Sequence, residues 1–220
     1  MQAATIPDSP GKTVPALRIP AMLLSYLFHP IFIPVYCIAF LVMVHPTYFS
    51  GFSMQQKKFT IVIASINLVF FPLMAILLLK AVGFIQSIFL HTQKDRIIPY
   101  MAYGIFSFWA YTVFKGQPIY PPIIASFILG IFLAGSGGLI ANIYFKISMH
   151  ALGAGGFTGL FLIISFGNSM AMIWPLALAI CISGMVCTAR MLLNSHTEKE
   201  IYTGFLLGIL AQLVAAGINL

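Results

Sequence analysis

Apolar runs of membrane-spanning length, separated by short polar breaks, dominate this chain. A bilayer core about 30 Å thick calls for roughly 20 apolar residues at about 1.5 Å of rise each. Windows of that size predict spans over 20–45, 58–81, 97–115, 121–145, 149–167, 170–193 and 201–219. The fold class expected is therefore an all-α, polytopic transmembrane helix bundle of six to seven spans, with Gly167-Asn168-Ser169 the shortest break. Pro30 and Pro34 fall inside the first span and should kink or break it, because proline removes a helical hydrogen bond and crowds the preceding turn. Residues 82–93 are too few to cross and too apolar for an ordinary loop, which predicts an interfacial or re-entrant segment. Residues 1–19, with Pro7, Pro10, Gly11 and Pro15, read as a flexible polar tail ahead of one helical domain over 20–220. No cleavable signal peptide, internal repeat or low-complexity tract is expected.

Composition narrows the chemistry. Of 220 residues, 60% are hydrophobic and 7% are charged, against about 25% charged in soluble domains. An integral membrane protein is the class that fits. Asp and Glu number only four, at Asp8, Asp95, Glu198 and Glu200. Hard cations need several oxygen ligands, so no metal and no cofactor are expected, and metal-dependent phosphoryl transfer is disfavoured. Cys37, Cys181 and Cys187 lie in apolar runs without CxxC spacing and read as packing thiols.

The net charge of +7 calls for a separate reading. Alternation of seven spans puts eight of the eleven Lys and Arg on one face: Lys12, Arg18, Lys80, Lys94, Arg96, Lys146, Arg190 and Lys199. Four of these are candidate ligands, and setting them aside leaves four against three, which gives no topology signal. Three of the four acids and His91, His150 and His196 fall on the same face. Polar groups at membrane depth are expensive and mark function, and here they gather in three short segments.

The first segment, His91 to Tyr100, puts Lys94 and Arg96 at a helix start, with Pro99 just inside the start of the span. The second, Lys146 to Gly156, offers Ser148 as an N-cap between Lys146 and His150. Gly153, Gly155, Gly156 and Gly159 follow it and permit close helix approach. In the third, Ala189 to Gly208, Thr197 and Glu200 form a capping box. His196 and Glu200 stand four apart, so the carboxylate can fix the imidazole tautomer. Arg190 offers a planar fork suited to phosphate oxygens.

In this order the segments resemble the type 2 phosphatidic acid phosphatase superfamily, which includes the vanadium haloperoxidases, over residues 90–210 or so. That family's third motif, Ser-Arg-x5-His-x3-Asp, is matched at Arg190 and His196, with Ala189 for Ser and Glu200 for Asp. Its second, Pro-Ser-Gly-His, is matched at Ser148 and His150, with Ile147 for Pro and Met149 for Gly. Its first, Lys-x6-Arg-Pro, is matched at Arg96, with Phe89 where the lysine would stand; Lys94 or Lys146 is left to replace it. The resemblance implies an acid-phosphatase-like helical core and metal-independent hydrolysis of a lipid phosphate or diphosphate. His196 would be the nucleophile oriented by Glu200, and His150 the acid and then the base. Arg190, Arg96, Lys94, Lys146 and Ser148 would hold the phosphate. The partners expected are the lipid substrate and membrane lipids, with no nucleic acid, in a bacterial inner membrane. The rival readings are a non-catalytic member and a transporter of anionic lipids or small anions.

Overall fold

The computed structural model describes residues 15–84, 93–167 and 169–220, and all regular structure among them is helical. Six helices are long and apolar enough to cross a membrane: Met54–Ala81, Gln93–Lys115, Pro122–Tyr144, Met149–Gly167, Met172–Leu192 and Glu198–Asn219. The protein is thus an all-α, multi-pass helix bundle. The last five are α5 to α9, with α8 beginning at Ser169.

The first expected span does break. It yields α1 (Pro15–Leu27) and α2 (Ile33–Ala39), the latter continued by a π-helical turn over Phe40–Val44. Neither piece reaches the length of a span. The break falls where Pro30 and Pro34 withdraw two N–H donors from consecutive turns. The next span, Met54–Ala81, is α3 (Met54–Ser65), a π-helical turn over Ile66–Phe70, and α4 (Phe71–Ala81). Pro72 opens α4 directly after that turn, a widening that absorbs the hydrogen bond proline cannot make.

Two boundary expectations are corrected, and a third falls mostly outside the described residues. The polar tail was to reach residue 19, but helix α1 already starts at Pro15, a residue favoured in a first turn. Residues 1–14 lie outside the described residues. In 82–93, α4 is closed by Gly83 at a φ of 83° with the Phe84 N–H on the Leu79 carbonyl, a Schellman end. The expected interfacial segment otherwise falls on 85–92, outside the described residues, as does His91. Helix α5 starts at Gln93, so Pro99 lies in its second turn and not just inside its start. The extra turn is anchored from outside: Gln93 and Asn142 at the end of α6 exchange hydrogen bonds of 3.1 and 2.9 Å between their side-chain amides and backbone carbonyls.

The glycines of the second and third segments set the central crossing of α7 on α9. A Cβ on Gly155 would collide with the Phe205 carbonyl and one on Gly208 with the Leu152 carbonyl, while one on Gly204 would come within 2.9 Å of the Ser148 carbonyl. Without side chains there, the backbones meet directly. That contact brings the first turns of α7 and α9 to the same end of the bundle.

Candidate phosphate site

The Arg190 to His196 spacing is a piece of helix-end geometry. Helix α8 ends in a Schellman turn, with the Asn194 N–H on the Met191 carbonyl and the Ser195 N–H on the Arg190 carbonyl. Asn194 takes a left-handed φ of 48°, which asparagine tolerates better than most residues. Thr197 then caps α9: its hydroxyl accepts from the Glu200 N–H, and its own N–H reaches the Glu200 carboxylate. Five intervening residues are what one helix end and one helix start consume, and the reversal returns His196 to the level of Arg190.

His196 Nδ1 stands 2.9 Å from Glu200 Oε2 and 3.2 Å from the Lys146 carbonyl oxygen. Both partners only accept, so Nδ1 carries the proton and Nε2 keeps its lone pair. The imidazole is held neutral, its pKa lowered to about 4. Burial is the largest cause and Arg96 and Arg190 add to it, against the hydrogen bond and charge of Glu200. Glu200 serves as both helix cap and imidazole partner.

Arg96 is buried, and its Nη1 donates to the Ile147 carbonyl at 2.8 Å. Arg190 Nη1 donates to Ser25 Oγ at 3.3 Å, while its Nε is buried with no hydrogen-bond partner. A buried guanidinium N–H without an acceptor is costly and asks for one. Lys146 stands in the extended link between α6 and α7. Burial, then the charges of Arg96 and Arg190, lower its pKa against the pull of Glu200.

Lys146 is thus the lysine that the fold brings to both arginines. Lys94 is exposed on the first turn of α5, and no contact joins it to this group among the described residues. Ser148 is also placed differently from a phosphate ligand. It is fully buried, its Oγ accepts from the Ala151 N–H as the cap of α7, and its N–H donates to the Glu200 carbonyl at 3.3 Å. Its part is to pin the start of α7 to α9.

The broken first span supplies what the sequence reading missed. His150 Nε2 stands 3.2 Å from the Ser25 carbonyl oxygen, so Nε2 carries the proton and Nδ1 the lone pair. His29, in the break itself, packs edge-on to the His150 ring with centroids 5.2 Å apart. Burial and then Arg190 lower the pKa of His29. A histidine directly before Pro30 in an apolar run was the signal available for it.

Arg96, Arg190 and Lys146 therefore act on one another, and both arginines on His196, with Glu200 acting on Arg96, Lys146 and His196 and Asp95 on Arg96. Such a group suits a multiply charged oxyanion. Among the described residues no three His, Cys, Asp or Glu side chains cluster as a metal site. No protein-family model, curated protein or solved structure matches this chain.

Proposed function

We propose that the protein hydrolyses the phosphate or diphosphate ester of a membrane lipid through a phosphohistidine at His196. The observation that carries this reading is a neutral imidazole held by Glu200 beside Arg190, whose buried Nε–H lacks an acceptor. The phosphoryl group would sit on Arg190, Arg96 and Lys146. His196 Nε2 attacks phosphorus and the ester P–O bond breaks, while the lone pair on His150 Nδ1 takes the proton of the monoanionic phosphate and passes it to the departing oxygen, which leaves His150 neutral again. His150 then takes a proton from water, which attacks the phosphohistidine and frees inorganic phosphate. Glu200 balances the positive charge that the His196 ring gains on phosphorylation. A site at the helix ends, with apolar helices below it, leaves the lipid tail in the membrane. The bacterial inner membrane is the location that goes with this reading.

Phosphate release from several lipid phosphates in EDTA, with His196→Ala and Arg190→Ala in parallel, is the test. Turnover by the wild type alone is expected. No wild-type turnover on any substrate, or full turnover by both variants, refutes the proposal.

A further inference from the structure

Ser25, near the end of α1, touches both an imidazole and a guanidinium of the candidate site. It is buried, where α1 lies against α8. Its hydroxyl donates to the Ala21 carbonyl at 2.8 Å, the bond that serine makes back along its own helix. That turns the hydroxyl oxygen into an acceptor, and Arg190 Nη1 donates to it at 3.3 Å. With Nη1 so held, the edge carrying the unpartnered Nε–H is the one left for a phosphate, in the two-bond geometry that suits a planar guanidinium.

The Ser25 carbonyl reaches His150 because the helix stops. In a continuing α-helix it would accept from the N–H four residues on, at His29. Pro30 disfavours helical backbone at His29, the last bond tightens, and the His29 N–H goes to the Tyr26 carbonyl at 3.3 Å. A carbonyl orphaned at a helix end asks for another donor, and His150 Nε2 fills that place at 3.2 Å. His29 Nδ1 accepts from the Ile31 N–H at 3.3 Å, which fixes the His29 ring in its edge contact with His150. The break thus holds His150 twice, by an acceptor at one nitrogen and by a second ring.

We infer that Ser25 is a positioning residue for this site, its carbonyl fixing the His150 tautomer and its hydroxyl turning Arg190 to the phosphate. The catalytic consequence rests on the phosphohydrolase reading, in which His150 Nδ1 must keep the lone pair that moves the proton. The tautomer protonated at Nδ1 has no lone pair there. The broken first span is then a part of the site and not only an anchor in the membrane.

The test replaces the Tyr26 amide by an ester, with the α-hydroxy analogue of tyrosine built into the full chain and the protein reconstituted in bilayers. The Ser25 carbonyl becomes an ester carbonyl, a weaker acceptor, and every side chain is kept. The same exchange at Leu24 also removes one helical N–H but leaves the Ser25 carbonyl an amide, and it serves as the control. Imidazole nitrogen NMR of histidine-labelled protein, with the His150 signals identified by His150→Gln, reads the tautomer directly. Expected is Nε2–H alone in the wild type and the control, and both tautomers in the Tyr26 ester. On a lipid phosphate the ester should lower kcat about tenfold at unchanged KM, the size of one hydrogen bond's contribution. Ser25→Ala should instead raise KM about tenfold, and Ser25→Thr, which keeps the hydroxyl, should restore it. A single Nε2–H tautomer in the ester, or a wild-type KM in Ser25→Ala, overturns the inference. The tautomer is read without turnover, so the two readings fail separately. Mixed tautomers in the ester with no phosphate release from any sample refute the hydrolase and keep the positioning role, whereas turnover with an unchanged tautomer does the reverse.

Discussion

Replacing Glu200 by glutamine separates its two jobs. The carboxylate accepts from the Thr197 N–H at 3.1 Å as a helix cap and from His196 Nδ1 at 2.9 Å. Glutamine can do the first, as Gln56 does in the Ser53 capping box that opens α3. It cannot supply charge to the second. When His196 carries the phosphoryl group its ring is cationic, and a unit charge about 4 Å away contributes up to about 4 kcal/mol at an effective dielectric of 20. A hydrogen bond to a charged group is worth about 1.5–3 kcal/mol net. Glu200→Gln should therefore cost about 2–3 kcal/mol of the barrier, a loss of roughly 30- to 150-fold in kcat. The melting temperature in detergent should stay near the wild type, since the cap survives. Glu200→Ala should lose the activity and about 1 kcal/mol of stability as well. The assay is steady-state phosphate release with thermal unfolding on the same preparations. A Glu200→Gln kcat within about threefold of the wild type would leave Glu200 as a cap alone and refute the reasoning.

The remaining predictions concern titration and packing. With His196 lowered to about 4 from 6.5, the acid limb of kcat/KM should fall near pH 4, and lower still in Glu200→Gln, because the carboxylate raises that pKa. Between pH 6.5 and 4 the unfolded chain takes up the proton that the folded chain refuses, so stability should fall as pH drops through that window. A chemical-denaturation series should show a shallower fall in His196→Gln. Gly208→Val drives a side chain into the Leu152 carbonyl and should cost at least about 3 kcal/mol. Gly217→Ala, with nothing within 4 Å of the new methyl, should be neutral or stabilising by up to about 1 kcal/mol.

The spans were legible because a bilayer imposes one length on every crossing helix, and the six long helices fall close to their expected bounds. The glycine pattern around Gly155 and Gly208 was legible because close approach leaves so few residue choices. The break at Pro30 was legible too, but not its destination. Ser25 meets His150 across 125 positions, and no local periodicity encodes such a pairing. For the same reason the sequence left Lys94 and Lys146 open, and the folded link between α6 and α7 brings Lys146 to the two arginines. Pro99 misled at the helix start because the exchange between Gln93 and Asn142 carries α5 a turn further than hydropathy alone directs.

The proposed hydrolysis runs through a covalent phosphate on His196, and that intermediate can be trapped. A lipid phosphate labelled in its phosphoryl group would be mixed with the protein, quenched in alkali where phosphohistidine survives, and the labelled peptide sequenced by mass spectrometry. The prediction is label on His196 in the wild type and none in His196→Ala. Turnover with the label on another residue, or with no covalent label in the wild type, would contradict the account.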